Sequence, residues 1–90
     1  MQKVIVTVVG KDKVGIIAKV CSFLAEQDIN ILDISQTIVG GYFNMMMVTD
    51  ISSSQKSFLE VMDEISALGK EIGVLISMQK EEIFDSMHRI

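Results

Sequence analysis

An α+β sandwich of element order βαββαβ, with a four-stranded antiparallel sheet and two helices on one face, is the fold class that the sequence predicts. Three observations carry it. Four short apolar runs have strand character, two longer segments between them repeat apolar residues at three and four positions, and a Gly-Gly pair separates the second run from the third.

Residues 3–9, KVIVTVV, are rich in β-branched side chains, stop at Gly10, and read as a strand buried on at least one face. From Gly15 to Asp28, residues Ile16, Ile17, Val20, Cys21 and Leu24 form one face of a helix, with Asp12 as its expected N-cap. Residues 29–38, INILDISQTI, alternate imperfectly. Residues 42–51, YFNMMMVTDI, follow Gly40-Gly41, a pair whose tolerance of positive φ suits a tight hairpin. The second helix is expected to begin near Ser52, where Ser52 and Gln55 have the spacing of a capping box. Its apolar stripe is Phe58, Val61, Met62, Ile65, Leu68 and Ile72, and Gly73 is its stop. Residues 74–79, VLISMQ, supply the fourth strand. Right-handed crossovers then put the first and third strands in the middle of the sheet, which is the ferredoxin-like arrangement.

Ninety residues, of which 49% are hydrophobic, suffice for one domain with a small core and leave no room for two. The domain is expected over residues 1–79, followed by an extension over residues 80–90. One mismatch stands out in this scheme. The helix-free face of the sheet should be wet, yet either choice of face gives it apolar residues, Ile5 with Met46 or Val6 with Met47. The extension, EEIFDSMHRI, carries Ile83, Phe84, Met87 and Ile90 on one helical face and is a candidate cover, on its own subunit or across a dimer. A frayed terminus is the simpler account of the same residues.

A net charge of −4 argues against general affinity for nucleic acid or for acidic lipid surfaces, both of which need clustered Lys and Arg. No apolar run approaches the length of a membrane span. Cys21 is the only cysteine, so no intramolecular disulfide forms, and with no signal-like segment before Lys3 the expected location is the cytoplasm.

The stretch VVGKDKVGII sets Gly10 and Gly15 at the spacing that opens a phosphate-binding GxxxxGK[ST] loop. Ile16 and Ile17 stand where that motif needs Lys and Ser or Thr, which excludes a nucleotide cradle. What survives is a short loop opening a helix, where free N–H groups and the helix dipole favour an anionic group such as a carboxylate. Tight helix packing at Gly15 is the plainer reading.

Residues 10–37, GKDKVGIIAKVCSFLAEQDINILDISQT, resemble an ACT domain, a small amino-acid-sensing module with this element order, and look most similar to stand-alone ACT proteins and to domains of the glycine-cleavage repressor type. The resemblance extends at the level of elements over residues 2–79. It implies a homodimer with ligand clefts between subunits. The loop of one chain, Lys11, Asp12, Lys13, Val14, Gly15 and Ile16, would face the start of the second strand of the other, Asn30 and Ile31. The amino-acid carboxylate would take helix N–H donors, and its ammonium group the Asp12 carboxylate or the Asn30 amide oxygen. Simple capping by Asp12 and turn formation by Asn30 explain the same residues. Two departures from the family pattern bear on the ligand: Val14 where many members have proline, and Gly10 where some amino-acid binders have histidine.

Other constellations point elsewhere less well. Glu81, Asp85 and His88 share a face of a helical tail, as ordinary solvated surface residues do, and no metal or other cofactor is expected. Met45, Met46 and Met47 alternate faces on a strand and cannot converge on copper. Tyr42 and Phe43 also point to opposite faces, unlike the stacking aromatics of an RNA-recognition module. The lone His lies in the tail and no nucleophile has a visible base, so no enzyme is expected. Two functions remain: a dimeric regulatory module binding a small molecule of amino-acid type, or a ligand-free module that recognises a regulatory protein partner.

Overall fold

The computed structural model describes residues 1–11 and 14–82. Its elements are β1 (Lys3–Lys11), α1 (Ile16–Glu26), β2 (Asn30–Val39), β3 (Tyr42–Asp50), α2 (Phe58–Ile72) and β4 (Val74–Lys80). All four strands pair antiparallel in the order β2-β3-β1-β4, so the first and third strands are central, as expected. Alternate residues of the central strands, Val4, Val6 and Val8 with Met45 and Met47, meet Val20, Leu24, Val61 and Ile65 of the helices in one core. The helix-free face therefore carries Ile5 and Met46, not Val6 and Met47.

The ends of the elements are set by local chemistry. Gly40 and Gly41 both have positive φ, 57° and 82°, as a two-residue turn matching the twist of its strands requires. At the end of α1, Asp28 adopts φ 57° and donates to the Ala25 carbonyl, while Ile29 donates to the Leu24 carbonyl. This is a Schellman cap, sealed by contact-prone Ile29 and Leu24, both buried. It ends the helix at Glu26, two residues before the expected Asp28.

Helix α2 starts later than Ser52. Its N-cap is Ser57, which accepts from the Glu60 N–H while the Glu60 side chain accepts from the Ser57 N–H. Ser52 has the same spacing to Gln55, but its hydroxyl and N–H both donate to Asp50 Oδ1, which ties Ser52 into the turn leaving β3. The imperfect alternation of β2 also has a cause: its pairing with β3 shifts between Ile31 and Asp33, leaving Leu32 as a bulged extra residue. Strand β4 runs to Lys80, with Glu81 and Glu82 helical beyond it. The rest of the extension, residues 83–90, lies outside the described residues. Cys21, placed on the apolar face of α1, is half-buried and unpaired by any disulfide.

Candidate functional site

The chain leaves the sheet at Lys11, which is exposed and in register with Tyr42, itself opposite Val39 at the end of β2. It re-enters regular structure at Gly15, whose φ of 89° and ψ of −1° make it a left-handed N-cap for α1. Among the described residues no side chain caps this helix, and no acidic residue lies in its first turn. The N-cap position is therefore Gly15, where the sequence suggested Asp12, because the helix begins at Ile16. Asp12 and Lys13 lie outside the described residues. The first backbone bond of the helix runs from the Lys19 N–H to the Gly15 carbonyl, 3.0 Å. The N–H groups of Ile16, Ile17 and Ala18 therefore present the positive end of the helix without a capping oxygen among the described residues. Beside them Val14 is wholly exposed while Ile16 is buried, so the turn rests on the core by Ile16 and shows solvent an apolar Val14.

Asn30 and Ile31 begin β2 at the far end of the same sheet. Asn30 is in register with Asp50 and Ile31 with Thr49, whose hydroxyl donates to the Val4 carbonyl at 2.8 Å in the core. Asn30 is exposed and Ile31 is 37% exposed. Between Tyr42, beside Lys11, and Asp50, beside Asn30, β3 advances eight residues, about 27 Å at the rise of an antiparallel strand. One chain therefore does not bring the two halves of the expected site together: Lys11, Val14, Gly15 and Ile16 stand at one end, Asn30 and Ile31 at the other.

Edge strand β2 is exposed along its whole length. Ile34, in register with core residue Met47, and Ile38, opposite Phe43, are 44% and 55% exposed although they lie on the helix-bearing side. Leu32 and Val39 are exposed as well, and Asp33 is the only charged residue of the strand. A ten-residue edge of this composition is the kind that proteins cover or pair. Two cavities among the described residues lie elsewhere: one of about 590 Å3 runs between Ser57–Leu59 and Met78–Lys80, and one of about 410 Å3 sits against Ala18, Phe23 and Leu68. Neither is bordered by an expected site residue.

Gly10 has a packing reason that the sequence did not disclose. It faces the core side of β1 beside Val74, and a Cβ built on it would lie 2.8 Å from Val74 Cγ1. A histidine there would meet the space Val74 fills. At the Asn30 end, Asp50 organises the chain by accepting from the Ser52 hydroxyl and from the N–H groups of Ser52 and Gln2. These bonds, the Ser52 hydroxyl first, hold its carboxyl below the ordinary aspartate range. Neither Asp50 nor the Schellman turn at Asp28, which aims the chain into Asn30, was picked out by sequence reasoning. The helix-then-aspartate pattern before Ile29 was the only signal of the latter. Met45 and Met47 are fully buried and Met46 is on the opposite face, so the three do not converge. Among the described residues no cluster of His, Cys, Asp and Glu is placed to hold a metal ion, and no helix is long and apolar enough to cross a membrane.

An ACT domain family model matches residues 2–79. A UPF0237 protein of Bifidobacterium longum is 54% identical over 90 residues, covering all of both chains. Among solved structures, an ACT domain protein from Streptococcus pneumoniae superposes with a TM-score of 0.82 at 44% identity, covering 92% of this chain and 93% of that one. A putative glycine cleavage system transcriptional repressor gives 0.76 at 24% identity, over 88% of this chain and 45% of that one, a likeness of fold.

Proposed function

The chain belongs to the ACT domain family, and on that premise we propose that it is a regulatory binding module that pairs through β2 and holds an amino acid, or a similar zwitterionic metabolite, between two copies. The observation that carries this reading is the split arrangement: at one end of the sheet a helix N-terminus opened by Gly15 with no side-chain cap among the described residues, Asn30 at the other end, and a bare edge strand joining them. A two-fold axis at that edge pairs the strands antiparallel. The start of β2 in one copy then lies beside the end of β2 in the other, next to Lys11 and the Gly15 turn. A ligand carboxylate takes the N–H groups of Ile16, Ile17 and Ala18, and its ammonium group takes the Asn30 amide oxygen. A ligand lacking either charge leaves desolvated groups without partners, which gives selectivity. Among the described residues nothing in the arrangement pairs a nucleophile with a base, and the proposed role is binding.

A thermal-shift panel of the twenty amino acids tests it. A ligand at a hundred times its dissociation constant adds about 2.7 kcal/mol per site, a rise in Tm on the order of 10 °C for a domain of this size. No shift with any amino acid, together with recovery of one stoichiometric protein partner, would favour the ligand-free module instead.

A further inference from the structure

The two sides of β2 differ in kind. Ile31, Ile34, Gln36 and Ile38 are in register with Thr49, Met47, Met45 and Phe43, all buried, and so lie on the helix-bearing side. Asp33, Ser35 and Thr37 are in register with Val48, Met46 and Asn44 and lie on the helix-free side. The side of this edge that α1 shares is therefore aliphatic except at Gln36, although all four of its residues are exposed. A two-fold axis that pairs β2 antiparallel stands normal to the sheet, so the helices of both copies lie on one side and like faces must meet. Matching the strand end to end then sets Ser35 against Ser35 on the axis and Ile34 against Gln36. With Leu32 as the extra residue of the bulge, Ile38 of one copy meets Ile31 of the other, and Val39 meets Asn30.

On the premise of the shared cleft proposed above, we infer that its ligand is an amino acid with an aliphatic side chain, of the valine, leucine or isoleucine kind. That side chain lies between Ile38 of one copy and Ile31 of the other, with Val14, wholly exposed beside the Gly15 turn, as a third aliphatic neighbour. Gln36 stands two residues inward of Ile38, about 7 Å nearer the axis. Small-molecule sites commonly combine apolar walls with a few placed polar groups. Here the helix N–H groups and Asn30 engage the charged groups common to every amino acid, so selection among amino acids falls to the side chain. An aliphatic one exchanges water for Ile31, Ile38 and Val14, which is worth about fourfold in affinity per methylene. A polar one gives up hydrogen bonds to water and gains none from these three residues.

Calorimetry of single amino acids on the full chain tests this. Affinity is expected to rise about tenfold or more from alanine through valine to leucine or isoleucine. Valine should bind about ten- to a hundredfold more tightly than threonine, which keeps its shape but carries a hydroxyl in place of one methyl. Ile31→Thr, at an exposed position, should narrow the valine-to-threonine ratio about threefold or more, a ratio that weakened pairing alone does not move. Leu75→Thr, on the opposite face and the far edge strand, leaves it unchanged. Threonine, serine, asparagine or glutamine binding as tightly as valine overturns the aliphatic assignment and leaves the shared cleft standing. Binding of no amino acid overturns the cleft and the assignment together. An unchanged ratio in Ile31→Thr overturns the placement of the ligand side chain against Ile31.

Discussion

Replacing Gly10 by alanine is expected to destabilise the protein, although a glycine inside a strand is ordinarily a weak point. On backbone grounds the substitution gains about 0.4–1 kcal/mol by restricting the unfolded chain. Against this, the new Cβ would stand 2.8 Å from Val74 Cγ1, 3.1 Å from its Cβ and 3.2 Å from its Cα. Val74 is buried and is the first residue of β4, directly after the Gly73 helix stop, so it has little freedom to retreat. Overpacking of this kind costs about 1–3 kcal/mol, leaving a net loss of roughly 1–2 kcal/mol and a fall in Tm of roughly 5–10 °C. Urea titration of Gly10→Ala, Val74→Ala and the double variant measures it. Removing the Val74 methyls relieves the closest contact, so the cycle should show a favourable coupling of about 1 kcal/mol. Simple additivity, or a more stable Gly10→Ala, would refute the view that Gly10 is there for packing.

Three further outcomes are expected. Ile34→Lys with Ile38→Lys removes, in each copy, the burial of about half of two side chains, ~1 kcal/mol apiece. The paired assembly then weakens by ~4 kcal/mol, near a thousandfold in Kd, which sedimentation analysis would record as monomer at micromolar concentration. Ser57→Ala costs about 1 kcal/mol of stability through loss of the α2 cap, while Gln55→Ala stays within about 0.5 kcal/mol because no capping box exists there. The Asp50 carboxyl, held below its ordinary value of 3.8 chiefly by Ser52, stabilises the fold fully above that value. That contribution is lost as pH falls through the lower folded pKa, so Asp50→Asn should flatten the stability profile below about pH 4.

The sandwich was legible because its strongest signals are local and periodic. The stripes Ile16, Val20, Leu24 and Val61, Ile65 are buried, and Gly40-Gly41 turns the hairpin with two positive φ angles. Boundaries depended on side chains competing for the same backbone. Ser52 and Ser57 both offer a hydroxyl three residues before a partner, and only the turn at Asp50 decides that Ser52 is already engaged. Likewise Asp12 has the residue type of a cap, whereas the N-cap position of α1 falls on Gly15, a glycine in the left-handed region. For the proposed site, the sequence named the residues of two halves and not the distance between them. Strand lengths put Gly15 and Asn30 at opposite ends of the sheet, and the bulge at Leu32 together with the exposed faces of β2 depends on pairings that no single segment encodes.

Complementation between two crippled copies tests the shared site most directly. Gly15→Asp places a carboxylate where the ligand's would sit; no described residue lies within 4 Å of its Cβ, while the φ of +89° strains the side chain, so a matched Gly15→Asn variant controls for the backbone. Asn30→Ala removes the acceptor at the other end. Each variant alone should bind none of the amino acid that gives the largest thermal shift on the unaltered protein. Mixed in equal amounts and allowed to exchange, they should recover about one quarter of the original sites by calorimetry, since half the dimers are hybrids with one intact cleft each. Full binding by either variant alone, or none by the mixture, would contradict a cleft built from both subunits.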